Sequence, residues 1–205
     1  MIGIIDYDAG NIKSVEKALH FLGKETVVTR DPKLLLAADQ VILPGVGHFG
    51  DAMEKLHRYG LVPVIQEIAD RRTPFLGICL GLQLLFQSSQ EAPGVKGLGL
   101  LKGTIKKIPP AQGLKIPHMG WNSLQLQNEG RLFTGIPQET YVYFVHSYYL
   151  QAEEEAIVKA VTHYSTAIHA SVEKDNVFAC QFHPEKSGRW GLKILENFTK
   201  QKREG

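Results

Sequence analysis

Leu76-Gly-Ile-Cys79-Leu-Gly81-Leu-Gln83 sets one cysteine between two glycines, with an apolar run over 73–78 before it and a helical pattern over 80–87 after it. This is the spacing of a nucleophile elbow, in which a buried strand turns abruptly into a helix and holds a reactive side chain in a strained, exposed position. Glycine is required two residues before and two after because neighbouring backbone passes too close for a Cβ. Cys79 would then stand at a helix N-terminus, where unpaired N–H groups and the helix dipole favour thiolate over thiol. The competing reading is a buried, inert cysteine at a strand-to-helix join.

A cysteine nucleophile needs a base and a group to orient that base, both usually distant in sequence. Of eight histidines, His183 fits, in Val177-Phe-Ala-Cys-Gln-Phe-His183-Pro-Glu185. The run 177–182 reads as a strand that carries His183 to a sheet's C-terminal edge, and Pro184 sets the turn to Glu185. That carboxylate can accept from one imidazole nitrogen and leave the other to take the thiol proton. Taken singly, His183 could be a surface histidine and Glu185 an acid at the start of a helix over 187–202. Their joint occurrence with the elbow is much harder to reach by chance.

An oxyanion hole needs two backbone N–H groups aimed at developing charge. In an elbow one comes from the residue after the nucleophile, here Leu80. The other comes from a loop after a neighbouring strand, which the glycines of Gln40-Val-Ile-Leu-Pro-Gly-Val-Gly47 suit. The overlapping Gly45-Val-Gly47-His-Phe-Gly50 matches a dinucleotide fingerprint. It follows a third strand rather than a first, with no clear second strand ending in an acid beyond it, so no nucleotide cofactor is expected.

Outward from these motifs, the first half alternates strands over 1–6, 25–29, 40–44 and 74–78 with helical segments over 12–22, 32–38, 51–71 and 80–88. Such alternation predicts an α/β fold, a parallel sheet flanked by helices. Beyond residue 98 the pattern is strand-rich, over 99–108, 121–127, 140–150, 156–162, 166–172 and 177–182, before a last helix over 188–202. The expectation is one mixed sheet, parallel in its centre with antiparallel strands added. The Gly/Pro-dense segments 92–99 and 109–120 read as loops. In open α/β sheets ligands bind beyond the carboxyl ends of the strands, where Cys79, His183 and the Pro44–Gly47 loop all fall.

At 205 residues one domain over 1–205 is the natural expectation. Apolar content of 43%, charged content of 21% and a net charge of +2 point to neither nucleic acid nor a membrane surface. No apolar run nears the roughly 20 residues a bilayer span needs. The start reads as a strand rather than a signal peptide, and two distant cysteines fit a reducing cytoplasm. Cys180 reads as inert core. His163 and His169 bracket a turn without acidic or thiol partners, so no metal site is expected.

With these residues in hand the chain resembles the class I (triad) glutamine amidotransferases along essentially its whole length. Asp6-Tyr-Asp-Ala-Gly-Asn11, Pro117-His-Met-Gly-Trp-Asn122, Tyr143-Phe-Val-His-Ser-Tyr148 and His183-Pro-Glu-Lys-Ser187 narrow the likeness to the glutaminase subunits of imidazole glycerol phosphate synthases. The resemblance implies a flavodoxin-like amidotransferase fold and hydrolysis of L-glutamine by Cys79, His183 and Glu185. It also implies oxyanion N–H groups from Leu80 and Val46, the Val46 peptide having first to reorient. Substrate contacts are implied for Gly47, Gln83, His146, Ser147 and Tyr148. A heterodimeric partner is implied as well, a (β/α)8-barrel cyclase subunit that receives the ammonia, with Asn11, Trp121, Tyr143 and Lys186 near the interface. Plainer roles compete: helix N-cap for Asn11, core for Trp121, solvated charge for Lys186, exposed helical glutamine for Gln83. Rival functions are the glutaminase of pyridoxal phosphate synthesis, or a non-catalytic regulatory module on this fold. The isolated subunit is expected to hydrolyse glutamine barely at all.

Overall fold

The computed structural model describes residues 1–203. In chain order it contains β1 (Ile2–Ile5), α1 (Ile12–Phe21), β2 (Thr26–Thr29), α2 (Pro32–Ala37), β3 (Gln40–Leu43) and α3 (Phe49–Arg58). Next come α4 (Leu61–Asp70), β4 (Phe75–Ile78), α5 (Leu80–Leu84), β5 (Ser88–Ser89), β6 (Gly103–Lys107) and β7 (His118–Leu126). The chain ends through β8 (Thr140–His146), β9 (Tyr148–Ala152), β10 (Val158–Tyr164), β11 (Thr166–Lys174), β12 (Val177–Cys180) and α6 (Gly188–Phe198).

Nine strands form one sheet in the order β2-β1-β3-β4-β12-β11-β10-β7-β8. From β2 to β12 neighbours are parallel, and from β12 to β8 they are antiparallel. The parallel strands therefore fill one flank up to the centre, and the added antiparallel strands all lie on the other. Side-chain patterns explain the split. β1, β3, β4 and β12 are buried at every residue, as parallel strands covered on both faces must be. β8 alternates buried with more exposed positions, the pattern of an antiparallel strand with one face open. Against one face pack α1 and α6, through Val15, Leu19, Ile194, Leu195 and Phe198. Leu35 of α2, Met53 and Leu56 of α3, and Ile65 and Ile68 of α4 cover the other.

Two expected elements divide. The helical stretch 51–71 breaks at Gly60, whose φ of 65° suits glycine, so α3 and α4 are separate helices. The strand expected over 140–150 breaks at Ser147. Its first part pairs with β7 in the large sheet, and its second pairs with β6 in a three-stranded sheet of β5, β6 and β9. That break faces the site.

Candidate active site

Cys79 sits at the carboxyl end of β4 and immediately before α5, with φ 55° and ψ −109°. A non-glycine residue there costs of order 1–3 kcal/mol and persists only when its surroundings over-determine it. The surroundings do so. Cys79 N–H donates to the Cys180 carbonyl at 2.8 Å, which ties the elbow to β12. A Cβ on Gly77 would meet the Gly81 carbonyl oxygen at 2.7 Å, and one on Gly81 would collide with the Leu43 carbonyl oxygen. Both flanking glycines are thus demanded by the fold.

His183 follows β12, the strand beside β4, and is fully buried. Its Nδ1 lies 2.8 Å from Glu185 Oε1, and both side chains are sealed from solvent. A carboxylate oxygen only accepts, so Nδ1 carries a proton, and whenever the ring is neutral Nε2 is a bare acceptor. No hydrogen bond occupies Nε2. Burial works to depress the imidazole pKa, but Cys79 and Glu185 override it and push it up to about 10. The base is further tied to β8: Ser187 Oγ donates to the His183 carbonyl at 2.6 Å and accepts from Tyr143 N–H at 3.0 Å. Cys180, the other thiol, is fully buried, and burial followed by Glu185 and Cys79 raises its pKa well above the ordinary range.

Beside Cys79 lies a cavity of about 360 Å3, lined by Val46, Gly47, Leu80, Gln83, His146, Ser147 and Tyr148 among others. The substrate-contact residues expected from the sequence therefore share one wall, drawn from α5, the Pro44–Gly47 loop and the β8–β9 break. Gln83 is buried, and its Nε2 donates to the Tyr148 carbonyl and to Gln181 Oε1, each at 3.0 Å. Both amide hydrogens are thereby engaged, so Gln83 offers a ligand only its carbonyl oxygen. His146 Nδ1 lies 2.8 Å from that same Tyr148 carbonyl, and His146 Nε2 lies 3.0 Å from His118 Nδ1. Burial drives the His146 pKa down to about 3 and that of His118 to about 4.

In the loop, the Tyr7 hydroxyl donates to the Pro44 carbonyl at 2.8 Å, and a Cβ on Gly45 would meet that hydroxyl at 2.6 Å. Leu80 N–H donates to the Gly45 carbonyl at 3.3 Å. The carbonyl and N–H of a trans peptide point in opposite directions, so the Val46 N–H faces away from Leu80 N–H. Of the two oxyanion donors expected from the sequence, the Leu80 N–H is thus occupied and the Val46 N–H is turned away from it.

Of the expected interface residues, Trp121 is 55% exposed and meets Tyr143 edge-on at 6.2 Å on the open face of the β7–β8 ribbon. Met119 and Tyr141 share that face and are exposed, as is Lys186. Asn11 has a different setting: it is buried, and its Nδ2 donates to Glu185 Oε1 at 3.3 Å. It occupies the helix N-cap position without capping through its side chain, because that side chain is drawn to the carboxylate.

Two residues at the site escaped sequence reading. Gln181 is fully buried with its Nε2 3.6 Å from Cys79 Sγ, and His118 is buried against His146. A glutamine inside the otherwise apolar run 177–182 was the available signal for the first. His118 lies within the Pro117–Asn122 stretch singled out above, but nothing in that stretch gave it a role at the site.

Comparison with known proteins gives a match to the family described as Glutamine amidotransferase class-I over residues 3–202. The imidazole glycerol phosphate synthase subunit HisH of Moorella thermoacetica is 53% identical over 96% of this chain and 93% of its own. That of Methanocaldococcus jannaschii is 51% identical, over 97% and 98%. Among solved structures, a glutamine amidotransferase superposes with a TM-score of 0.74 at 20% identity, covering 97% of this chain and 98% of its own. PurLQS from Thermotoga maritima gives 0.73 at 23% identity, covering 97% and 96%. At such identities these structures speak to the fold alone.

Proposed function

This chain belongs to the class I glutamine amidotransferases, and from that membership we propose that it is the glutaminase subunit of an imidazole glycerol phosphate synthase. The observation that carries the reading is the meeting of Cys79, the unoccupied Nε2 of His183 and the sealed Glu185 carboxylate beside a cavity sized for a small substrate. Identity of about half the residues to HisH subunits over nearly the whole chain supplies the pathway.

Cys79 Sγ attacks the side-chain amide carbon of glutamine while the thiol proton passes to His183 Nε2. Glu185 holds the ring's other nitrogen and balances the imidazolium that forms. The imidazolium then protonates the departing nitrogen, releasing ammonia and leaving a thioester. Water, deprotonated by His183, hydrolyses that thioester to glutamate and restores the thiol. The carbonyl oxygen of Gln83 suits the α-ammonium of the substrate, since its amide hydrogens are engaged elsewhere.

Developing charge on the amide oxygen needs two N–H donors, and Leu80 and Val46 are the candidates. In the resting arrangement the Gly45 carbonyl occupies Leu80 N–H, so the Gly45–Val46 peptide must turn over before the hole exists. We assign that turn to a partner. The exposed Met119, Trp121 and Tyr141 face, with Tyr143 beside it, suits docking of a (β/α)8-barrel cyclase subunit. Ammonia would pass into that barrel without meeting water, which would protonate it and end its use as a nucleophile. A reducing cytoplasm suits the free thiol that the reaction needs.

Glutamate release from glutamine would be measured for wild type and Cys79→Ala, each alone and with a cyclase subunit plus its ribotide ligand. Strong release by wild type only in the full mixture, and none from Cys79→Ala, is expected. Equal release by the isolated chain would refute partner gating. Absence of release throughout would refute the glutaminase assignment.

A further inference from the structure

We propose that Gln181 is a further catalytic residue, whose side-chain N–H stabilises the Cys79 thiolate while His183 removes its proton. This rests on Cys79 being the nucleophile. Gln181 lies one residue past β12, between that strand and His183, and is fully buried. Its backbone N–H donates to the Ala170 carbonyl at 2.8 Å, so the residue is anchored in the sheet. Its Nε2 stands 3.6 Å from Cys79 Sγ, and its Oε1 accepts from Gln83 Nε2 at 3.0 Å.

Which end of an amide faces which neighbour must be argued from the network, and here one group decides the matter. The Tyr148 carbonyl can only accept. Its neighbour Gln83 must therefore present Nε2 to it, and that same Nε2 reaches Gln181. An N–H can be received there only by an oxygen, so Gln181 turns Oε1 toward Gln83 and Nε2 toward the sulfur. The reverse orientation would set two donors against each other in a buried site. By the same logic His146 donates from Nδ1 to Tyr148, accepts at Nε2 from His118 Nδ1, and remains neutral. Donors from both sides thus converge on the Tyr148 carbonyl, and from Gln83 the donor sense runs on through Gln181 to the sulfur.

The chemical consequence is specific. Gln181 cannot accept the thiol hydrogen, so it does not compete with His183 for it. When the S–H bond breaks and the N–H bond forms at His183 Nε2, the charge left on sulfur already faces a donor that requires no reorganisation. Hydrogen bonds to an ionised partner are roughly twice as strong as neutral ones, so this contact favours the thiolate over the thiol. The other ionisable groups that interact with Cys79 are His183 beyond β12, Cys180 on β12 and Tyr7 beyond β1, with Glu185 on the far side of the His183 ring. Gln181 links the sulfur by hydrogen bonds to Gln83 in the cavity wall.

Iodoacetamide alkylation of Cys79 in the full chain would test this, followed by mass spectrometry to separate it from Cys180. The pH series would bracket the ordinary thiol value of about 8.5. Gln181→Met keeps the bulk and removes the donor. It should displace the alkylation profile to higher pH than wild type and slow alkylation at neutral pH by about tenfold. Gln83→Met leaves Gln181 in place but removes its anchor, and should displace the profile in the same sense by less. Melting temperatures would establish that each variant is folded. A Gln181→Met profile that superimposes on wild type overturns the proposal. Should that variant fail to fold, an unmoved Gln83→Met profile overturns it instead. Glutaminase activity that survives Cys79→Ala would remove the underlying nucleophile assignment, whatever the Gln181 variants do.

Discussion

His183 beyond β12, in the parallel half of the sheet, and His146 at the end of β8, in the antiparallel half, are both buried, yet their proton affinities diverge. The first is raised to about 10, and the second lowered to about 3. Burial pulls both downward. What separates them is company. His183 has a sealed carboxylate on one nitrogen and a thiol near the other. His146 has a backbone carbonyl on one side and a second neutral histidine on the other. The parallel half, closed on both faces, concentrates charge where a proton must move. In the antiparallel half His118 and His146 are held neutral, and the aromatic face of the β7–β8 ribbon is open.

Glu185→Gln should erase the contrast most completely, by giving His183 a neutral partner like that of His146. Glutamine hydrolysis by the complex should fall about a thousandfold, because the substitution removes the charge that balances the imidazolium. An NMR titration of the His183 imidazole should show its pKa falling. An unchanged pKa would mean that Glu185 is not what sets the two halves apart. The new amide nitrogen would also sit where Oε2 is buried without a partner.

Trp121→Ala examines the open face. Affinity for the proposed cyclase partner should drop about 30-fold, the scale of an aromatic hot spot of about 2 kcal/mol. The isolated chain should keep its stability within about 0.5 kcal/mol, as exposed positions do. Titration calorimetry and urea unfolding would check each part, and a large stability loss would recast Trp121 as core.

The smallest effect concerns acid stability. His118 and His146 stay neutral in the fold below the ordinary value of 6.5, while the unfolded chain takes up protons there. The unfolded state then binds more protons, so stability falls as pH drops from 6.5 toward about 4. His183 leans the other way: its contribution is full below 6.5 and is lost as pH climbs through about 10. His118→Phe keeps the stack with Phe144 and Tyr164 but removes one titrating group. It should reduce the stability lost on moderate acidification by about 1 kcal/mol, read from urea unfolding at paired pH values.

From the sequence alone came the elbow, the alternation of strands and helices, and the trio of Cys79, His183 and Glu185. Each is written in short-range pattern: glycines two residues to either side, apolar runs of strand length, a His-Pro-Glu turn. Spacing carried these because backbone sterics act over a few residues, and the same sterics exclude side chains at Gly77 and Gly81. Other features had no local signature. The break at Ser147 depends on two different sheets claiming the strands before and after it. Asn11 turned inward because Glu185 lies within reach 174 positions later, and Gln181 meets Cys79 across 102 positions. Only the folded chain decides that the Gly45 carbonyl, rather than the Val46 N–H, faces Leu80. A peptide can present either end at little covalent cost, and the choice belongs to whichever distant partner the packing brings beside it.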